Sequence, residues 1–197
     1  MTAAERPLRA DARRNHDKLV AVAREVFMEH GPEAPLDEIA RRAAVGPGTL
    51  YRHFPTRDAL VAAVYRDDVE CIATRADELA AQLPPFEALA AWLGEQVAYA
   101  AHKHGLGGAL KTMLANDSVT LDYCRDTIGV AIRKLLDRAR DAGEVRDDID
   151  PSMLLRLVHG IGVASEREPA SASPMLAIVL DGIRPATKSA ATDSVAS

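Results

Sequence analysis

Between two turn signals, the stretch GPGTLYRHFPTR at residues 46–57 carries four side chains that can form hydrogen bonds or ion pairs. These side chains are Thr49, Tyr51, Arg52 and His53, and on one short helix they form an outward-facing edge. Such groups reach phosphate oxygens and base edges. A helix that also has apolar residues on its inner side fits the DNA major groove. The chemistry that this pattern indicates is recognition of double-stranded DNA.

Two short helices on either side of a tight turn must position these side chains. The preceding helix is predicted from Leu36, Ile39, Ala40 and Ala43, and the next helix turns Leu50 and Phe54 inward. Helices this short must cross closely, and the small side chain of Ala40 fits opposite Leu50. Arg57, at the start of the following helix, is placed to add a phosphate contact.

Helical periodicity continues along the whole chain, and no convincing strand is found, so we predict an all-α fold of about nine helices. The first helix is predicted over roughly 13–30, ending at Gly31-Pro32, and a short one over 109–115. Thr56 and Asp150 are predicted N-caps, and Pro84-Pro85 is the clearest internal break.

The composition excludes several classes of protein. The chain has 197 residues, of which 48% are apolar and only 4% aromatic, which favours helix over sheet. Its start has no apolar segment typical of a signal peptide, and no apolar run approaches the roughly 18 residues of a membrane span. Two cysteines, Cys71 and Cys124, do not make a disulfide framework, and we expect both to be buried. We therefore expect a cytoplasmic protein with no membrane partner.

The formal net charge of -5 hides a difference between the two ends. Residues 1–66 contain 11 Lys or Arg and 9 Asp or Glu, whereas residues 67–197 contain 13 and 20. The basic surplus lies at the start, at Arg6, Arg9, Arg13, Arg14 and Lys18. We predict a flexible basic arm over residues 1–12 and a DNA contact from Arg14, with a merely solvated tail as the alternative.

GPGTLYRHF at residues 46–54, followed by PTRDAL at 55–60, resembles the helix-turn-helix of the TetR family of bacterial repressors. DEIA at 37–40 fits the same pattern, and the close resemblance covers about residues 13–66. The spacing of a helix-turn-helix alone is weak evidence. TLYRHF followed by a capped long helix is much more specific.

The resemblance implies a homodimer that binds operator DNA and is released by an unidentified small-molecule effector. It implies a three-helix DNA-binding head at 13–56 and a helical domain for ligand binding and dimerisation at 57–184. The Ala, Ser and Thr-rich composition of residues 185–197 predicts a disordered tail. By position, the resemblance implies these DNA contacts, with Tyr51 and Arg57 on phosphate: Pro47, Gly48, Thr49, Tyr51, Arg52, His53 and Arg57. Ala44 departs from the family, which usually has Gly in this turn.

A stripe in the fifth helix is a candidate wall of the effector pocket, because pockets combine aromatic walls with a few polar groups. It consists of Trp92, Gln96, Tyr99 and Lys103, and the opposite wall is predicted from Leu110, Met113, Leu114 and Tyr123. The alternative is that Trp92 and Tyr99 simply pack against neighbouring helices.

Two apolar stripes near the end of the chain are candidates for the dimer interface. They consist of Leu154, Leu157, Val158 and Ile161, and of Met175, Leu176, Val179, Leu180 and Ile183. Two helices from each subunit would form a four-helix bundle with two-fold symmetry. The alternative is that both stripes pack only inside one subunit.

Catalysis and metal binding have little support in the sequence. We find no phosphate-binding loop, nucleophile elbow or HExxH motif, and we predict no cofactor and no catalytic residue. His102 and His104 face different sides of a helix, so no metal site is predicted. Besides an enzyme, the remaining alternative is a helical interaction module or ligand-binding protein that does not bind an operator.

Overall fold

The structure, a computed structural model of the chain, describes residues 5–102 and 117–186. These residues form eight α-helices and a 3-10 turn, Pro169–Ser171, and none of them is in a strand. The helices are α1 (Glu5–His30), α2 (Leu36–Arg42), α3 (Pro47–His53), α4 (Arg57–Gln82), α5 (Pro85–His102), α6 (Ser118–Asp141), α7 (Pro151–Ala164) and α8 (Ala172–Ile183).

Side-chain caps begin the helices where the sequence predicts them. The hydroxyl oxygen of Thr56 accepts a hydrogen bond from the Ala59 amide at 3.1 Å, and Asp150 accepts one from the Met153 amide at 2.7 Å. Each cap satisfies one of the amides that has no partner in the first turn. The break at Pro84-Pro85 is confirmed as well, because α5 begins at Pro85.

The predicted boundary at the start of the chain is corrected. The first helix begins at Glu5 rather than near residue 13, so most of the predicted arm continues the helix. No Gly or β-branched residue interrupts residues 5–18, and a single proline in the first turn of a helix is tolerated. The predicted helix at 109–115 and most of the predicted tail, residues 187–197, lie outside the described residues.

Two separate hydrophobic cores lie along the molecule, and α4 contributes to both. The head core is built from α1, α2, α3 and the first turns of α4 as far as Val64. The second core, the body, includes Ile72 and Leu79 of α4 with side chains of α5, α6, α7 and α8. The predicted domain boundary at 56/57 therefore falls too early, because Leu60, Val61 and Val64 complete the head core.

The body is held at one point by a very close crossing of α5 and α7. Gly162 faces Ala100, and a Cβ atom at residue 162 would lie 2.9 Å from the Val97 carbonyl oxygen as well as in contact with the Ala100 methyl group. A glycine is needed here because the two backbones leave no room for a side chain.

Replacing Gly162 with alanine tests this crossing. We expect Gly162→Ala to lower the free energy of unfolding by about 2 kcal/mol, because overpacking forces the two helices apart. Gly129→Ala in α6 is the matched control, since only the flexible Arg133 guanidinium lies near its added Cβ, at 3.1 Å. The control should be neutral or slightly stabilising in urea titrations followed by circular dichroism. Equal stability of both variants would contradict the close crossing.

Candidate nucleic-acid interface

A tight turn between α2 and α3 places the second helix across the first. The amides of Ala44 and Val45 donate to the carbonyls of Arg41 and Ala40, at 3.1 and 3.0 Å. Ala44 has φ +50, the left-handed region, which is the conformation that glycine adopts without cost. The departure from the TetR pattern is therefore a strained alanine in an otherwise ordinary turn.

Packing inside the head fixes the orientation of α3. Leu50 is fully buried and belongs to the same core as Ile39, Ala40 and Phe54. The predicted close fit of Ala40 and Leu50 is thus consistent with the packing. Because Leu50 faces inward, the opposite side of this short helix must face solvent.

The predicted DNA-contacting residues of α3 lie mostly on that open side. Pro47, Gly48, Tyr51 and Arg52 are exposed, with Tyr51 at 48%, and Thr49 is half-buried. His53 differs, because its ring lies 6.1 Å from that of His16 in α1 and is half-buried. The side chains of α3 that are free to meet a groove therefore lie before its last residue, His53.

Arg57, predicted to contact phosphate, is only 27% exposed, and part of its guanidinium group faces the protein. Its Nη1 donates to the carbonyl oxygens of Pro32 and Ala34, at 2.8 and 2.7 Å. These carbonyls lie in the loop between α1 and α2. This geometry makes Arg57 a clamp that joins this loop to the start of α4, and the predicted phosphate contact stays to be tested.

Arg14 remains exposed on α1, two residues before His16, and pairs with Asp11. The ring of His16 lies 4.9 Å from that of Phe54, so this part of α1 lies beside the end of α3. The unbroken helix α1 consequently holds the cation of Arg14 near α3, which we call the recognition helix.

Both arginines of α2, Arg41 and Arg42, form ion pairs with the carboxylate of Glu38. Glu38 accepts hydrogen bonds from Arg41 and Arg42, at 2.7 Å each, and these bonds lower the pKa of Glu38 to about 2. The carboxylate is therefore ionised at any physiological pH. It holds both guanidinium groups on the surface of α2, next to the turn.

The predicted effector-pocket residues do not form one wall. Trp92 is fully buried and donates from Nε1 to the Ile72 carbonyl at 3.0 Å, so it fills the body core. Tyr123 is exposed on the outside and donates to Glu70 at 2.8 Å. Gln96 and Tyr99 are half-buried in α5. The other four predicted members, Lys103, Leu110, Met113 and Leu114, lie outside the described residues.

A cleft of about 520 Å³ lies between the head and the body, away from the predicted pocket. Its floor is made of small and apolar residues of α1 and α4, including Val20, Ala59 and Ala63. Across it, the Arg66 guanidinium donates to the hydroxyl of the buried Thr120 at 2.6 Å and so connects α4 to α6.

The predicted dimer stripes divide into two groups. Leu154, Val158, Ile161 and Ile183 belong to the core of the subunit, and Leu176, Val179 and Leu180 are half-buried against it. Leu157 and Met175 are exposed, so the structure corrects the assignment for the four buried members, and the interface role of the other five stays a prediction. The structure also exposes two apolar residues that the sequence reading missed, Met153 and Ile178. Both lie one turn from a predicted member, a spacing that could have revealed them.

Two remaining expectations concern cysteines and metals. Cys124 is buried, and burial raises the pKa of its thiol to about 11. Cys71 is exposed, which corrects the expectation that both thiols are buried. Among the described residues no cluster of three His, Cys, Asp or Glu side chains could hold a metal ion, and no described helix could cross a membrane.

Comparison with known proteins connects this geometry to a family. Residues 19–64 match the family model of bacterial regulatory proteins of the tetR family, and residues 84–185 match the C-terminal domain of SbtR-like transcriptional regulators. The chain belongs to the TetR family of transcriptional regulators. Its first matched region ends at Val64, where the head core also ends.

Individual TetR-family relatives agree over most of the chain. The solved structure of the TetR transcriptional regulator SCO0520 from Streptomyces coelicolor is 42% identical, with a TM-score of 0.73, over 87% of this chain and 99% of that one. The regulator UidR of Escherichia coli K12 is 26% identical over 77% of this chain and 79% of its own length. The A-factor receptor protein of Streptomyces griseus is 29% identical over 78% of this chain and 56% of its own length.

The strained turn of the TetR-like head gives a first prediction. Ala44→Gly should raise the free energy of unfolding by about 0.5–1 kcal/mol, because glycine adopts a positive φ without the steric cost of a Cβ. Thermal melts followed by circular dichroism measure the change. A lower midpoint for Ala44→Gly would show that the turn does not strain the alanine.

The Arg57 clamp gives a second prediction. Arg57→Ala should lower the free energy of unfolding by about 2 kcal/mol, because two carbonyls lose a charged donor. It should leave the slope of log affinity for DNA against log salt unchanged, whereas a phosphate-contacting cation contributes about one unit to that slope. Arg52→Ala, at an exposed cation of α3, is the comparison variant. A shallower slope for Arg57→Ala with unchanged stability would restore the phosphate contact.

Proposed function

We propose that this TetR-family regulator is a repressor that binds a partly palindromic operator as a homodimer and is released by a small-molecule effector. The observation that carries the proposal is the exposed edge of α3, held rigidly by the buried Leu50 and by the clamped loop. A dimer would place two such edges in successive major grooves.

Each exposed group of α3 has a distinct expected role. Arg52 and Thr49 have the reach and the hydrogen-bonding groups to read base edges, and Tyr51 is suited to a phosphate oxygen. Pro47 and Gly48 allow close approach, because nothing lies within 4 Å of where a Cβ of Gly48 would be. His53 is expected to support α3 from behind, since its ring faces α1. Arg14 would add a cation beside the groove.

The effector is proposed to act through the body. It would bind among α4, α5 and α6 near Gln96 and Tyr99 and shift the population toward head orientations that no longer fit the operator. Support comes from the match to an SbtR-like regulatory domain and from a relative that is named a receptor. An operator-binding role places the protein with the chromosome, in the cytoplasm.

The dimer interface is proposed on the exposed sides of α7 and α8. These neighbouring helices leave apolar side chains uncovered at Met153, Leu157, Met175 and Ile178. Gly160 and Gly182 lie on the same helices with open space around them, so a partner helix can approach closely. Burying this surface against a second copy removes apolar area from water.

The phosphate role of Tyr51 is testable with a site enriched from a random library of double-stranded DNA. Tyr51→Ala should weaken binding about fivefold, equivalent to roughly 1 kcal/mol, without lowering the melting temperature. Tyr51→Phe should lose nearly as much, since the hydroxyl makes the contact. If anisotropy titrations give the same DNA dissociation constant for Tyr51→Ala as for the wild type, Tyr51 does not contact the DNA.

The dimer surface is testable with two matched apolar positions. Ile178 is 73% exposed on α8, and Val119 is 72% exposed on α6, away from the proposed interface. Ile178→Glu should raise the dimer dissociation constant at least about 100-fold, because it would bury an unpaired charge. Val119→Glu should remain dimeric in size-exclusion chromatography with light scattering. Dissociation by Val119→Glu alone would place the interface elsewhere.

A further inference from the structure

A charged side chain lies in the interior between the head and the body. Asp68 of α4 is only 6% exposed, and its Oδ1 lies 2.7 Å from Nε of Arg24 in α1. The hydroxyl of Tyr99 in α5 donates to its Oδ2 at 3.4 Å. Arg24 also pairs with the more exposed Asp67. One carboxylate thus contacts a helix of the head and a helix of the body.

Asp68 lies on α4 between the two hydrophobic cores, so its contact connects the head with the body. The head core ends at Val64 and the body core begins at Ile72, so Asp68 lies midway along the roughly two turns of α4 between them. Among the residues that the structure describes, Asp68 is the one charged side chain that is buried. Besides the apolar contact of Leu121 in α6 with the head core, α1 is therefore connected to α5 through an ionic contact.

Ionic contacts in the interior depend more strongly on geometry than apolar ones do. A desolvated carboxylate is stable only while its charged and hydrogen-bonding partners stay in place. Burial, with Asp68 nearby, raises the pKa of Tyr99, so its hydroxyl keeps the proton that it donates. Arg24 is charged at every accessible pH. A rotation of the head that separates Arg24 from Asp68 would leave a buried charge without its countercharge.

We propose that Asp68 is a positioning residue that fixes the orientation of the DNA-binding head through Arg24 and senses the effector domain through Tyr99. The inference rests on the proposed operator-binding function and adds the residues that convey the effector signal. Displacement of Tyr99 weakens the hold of Asp68 on Arg24, and the head then samples a wider range of orientations. Arg24, Asp68 and Tyr99 together are called the junction triad below.

The first test measures head orientation without DNA. Spin labels at Met28→Cys in α1 and Glu87→Cys in α5, in a Cys71→Ser background, report the distance between head and body. Labelled chains are diluted with unlabelled protein so that each dimer carries one label pair. Pulsed electron resonance should show a distance distribution at least about twice as wide for Asp68→Asn, because the countercharge is lost.

Asp77→Asn is the matched control for this measurement. Asp77 lies on the same helix and pairs with Lys134 of α6 at 2.5 Å, in an exposed contact within the body. Its loss should leave the distribution unchanged. Tyr99→Phe removes only a hydroxyl, folds more readily than a variant with a changed charge, and should widen the distribution to a smaller extent. A distribution that stays narrow in both Asp68→Asn and Tyr99→Phe overturns the proposal.

The second test uses operators whose half-sites are moved apart in steps of one base pair. Wild-type protein should prefer one spacing, whereas Asp68→Asn should lose about tenfold in affinity there and bind the other spacings nearly as well. A merely structural residue would weaken all spacings equally, and that result also overturns the proposal. If wild-type protein binds no operator but Asp68→Asn widens the distances, the junction triad stands and the operator function fails.

Discussion

A single continuous helix belongs to both hydrophobic cores, and the rest of the molecule is arranged around this constraint. α4 has 26 residues and so extends about 39 Å, from the end of the recognition helix to the far side of the body. Its first turns complete the head, and its later turns pack against α5 and α6. Because α4 is one unbroken helix shared by both cores, a movement of its end in the body would also reorient the head.

α4 is held differently in the body and at the junction in its middle. In the body, the buried Trp92 and the close approach of Gly162 to Ala100 leave little room for adjustment, since packed interiors transmit strain. At the junction, the proposed role of Asp68 requires its contact with Arg24 to open and close. A rigid body joined to the head through a charged contact is an arrangement that a small ligand can bias between two states.

The recognition surface depends on contacts that lie behind it. Leu50 faces the core, Arg57 clamps the loop between α1 and α2, and His16 lies beside Phe54 at the end of α3. None of these groups lies on the exposed side of α3. Together they hold α3 so that Tyr51 and Arg52 face outward, and a small displacement at this site would misalign the hydrogen bonds to DNA.

The sequence predicted elements and caps well, because these depend on local spacing. Thr56 and Asp150 cap as expected, and the TLYRHF segment lies on a helix whose Leu50 faces inward. The errors arise where tertiary contacts decide. Periodicity marks Leu154 and Leu157 equally as apolar, and only packing distinguishes the buried residue from the exposed one.

Arg57 and Trp92 show the same limit of sequence reasoning. A basic residue at a helix start predicts a phosphate contact, but the fold brings two loop carbonyls within its reach. An aromatic residue among pocket-like neighbours predicts a cavity wall, but the indole reaches the Ile72 carbonyl and fills the core. The junction triad joins residues 24, 68 and 99, and no local pattern predicts a contact over such separations.

The most direct measurement is fluorescence-anisotropy binding of the full chain to the DNA that flanks its own gene, in a salt series with random DNA as competitor. The account predicts tight binding that resists the competitor and weakens steeply with salt, as phosphate contacts require. An affinity for random DNA equal to the affinity for the flanking DNA, and for sites selected from the whole genome, would contradict a head that reads an operator sequence.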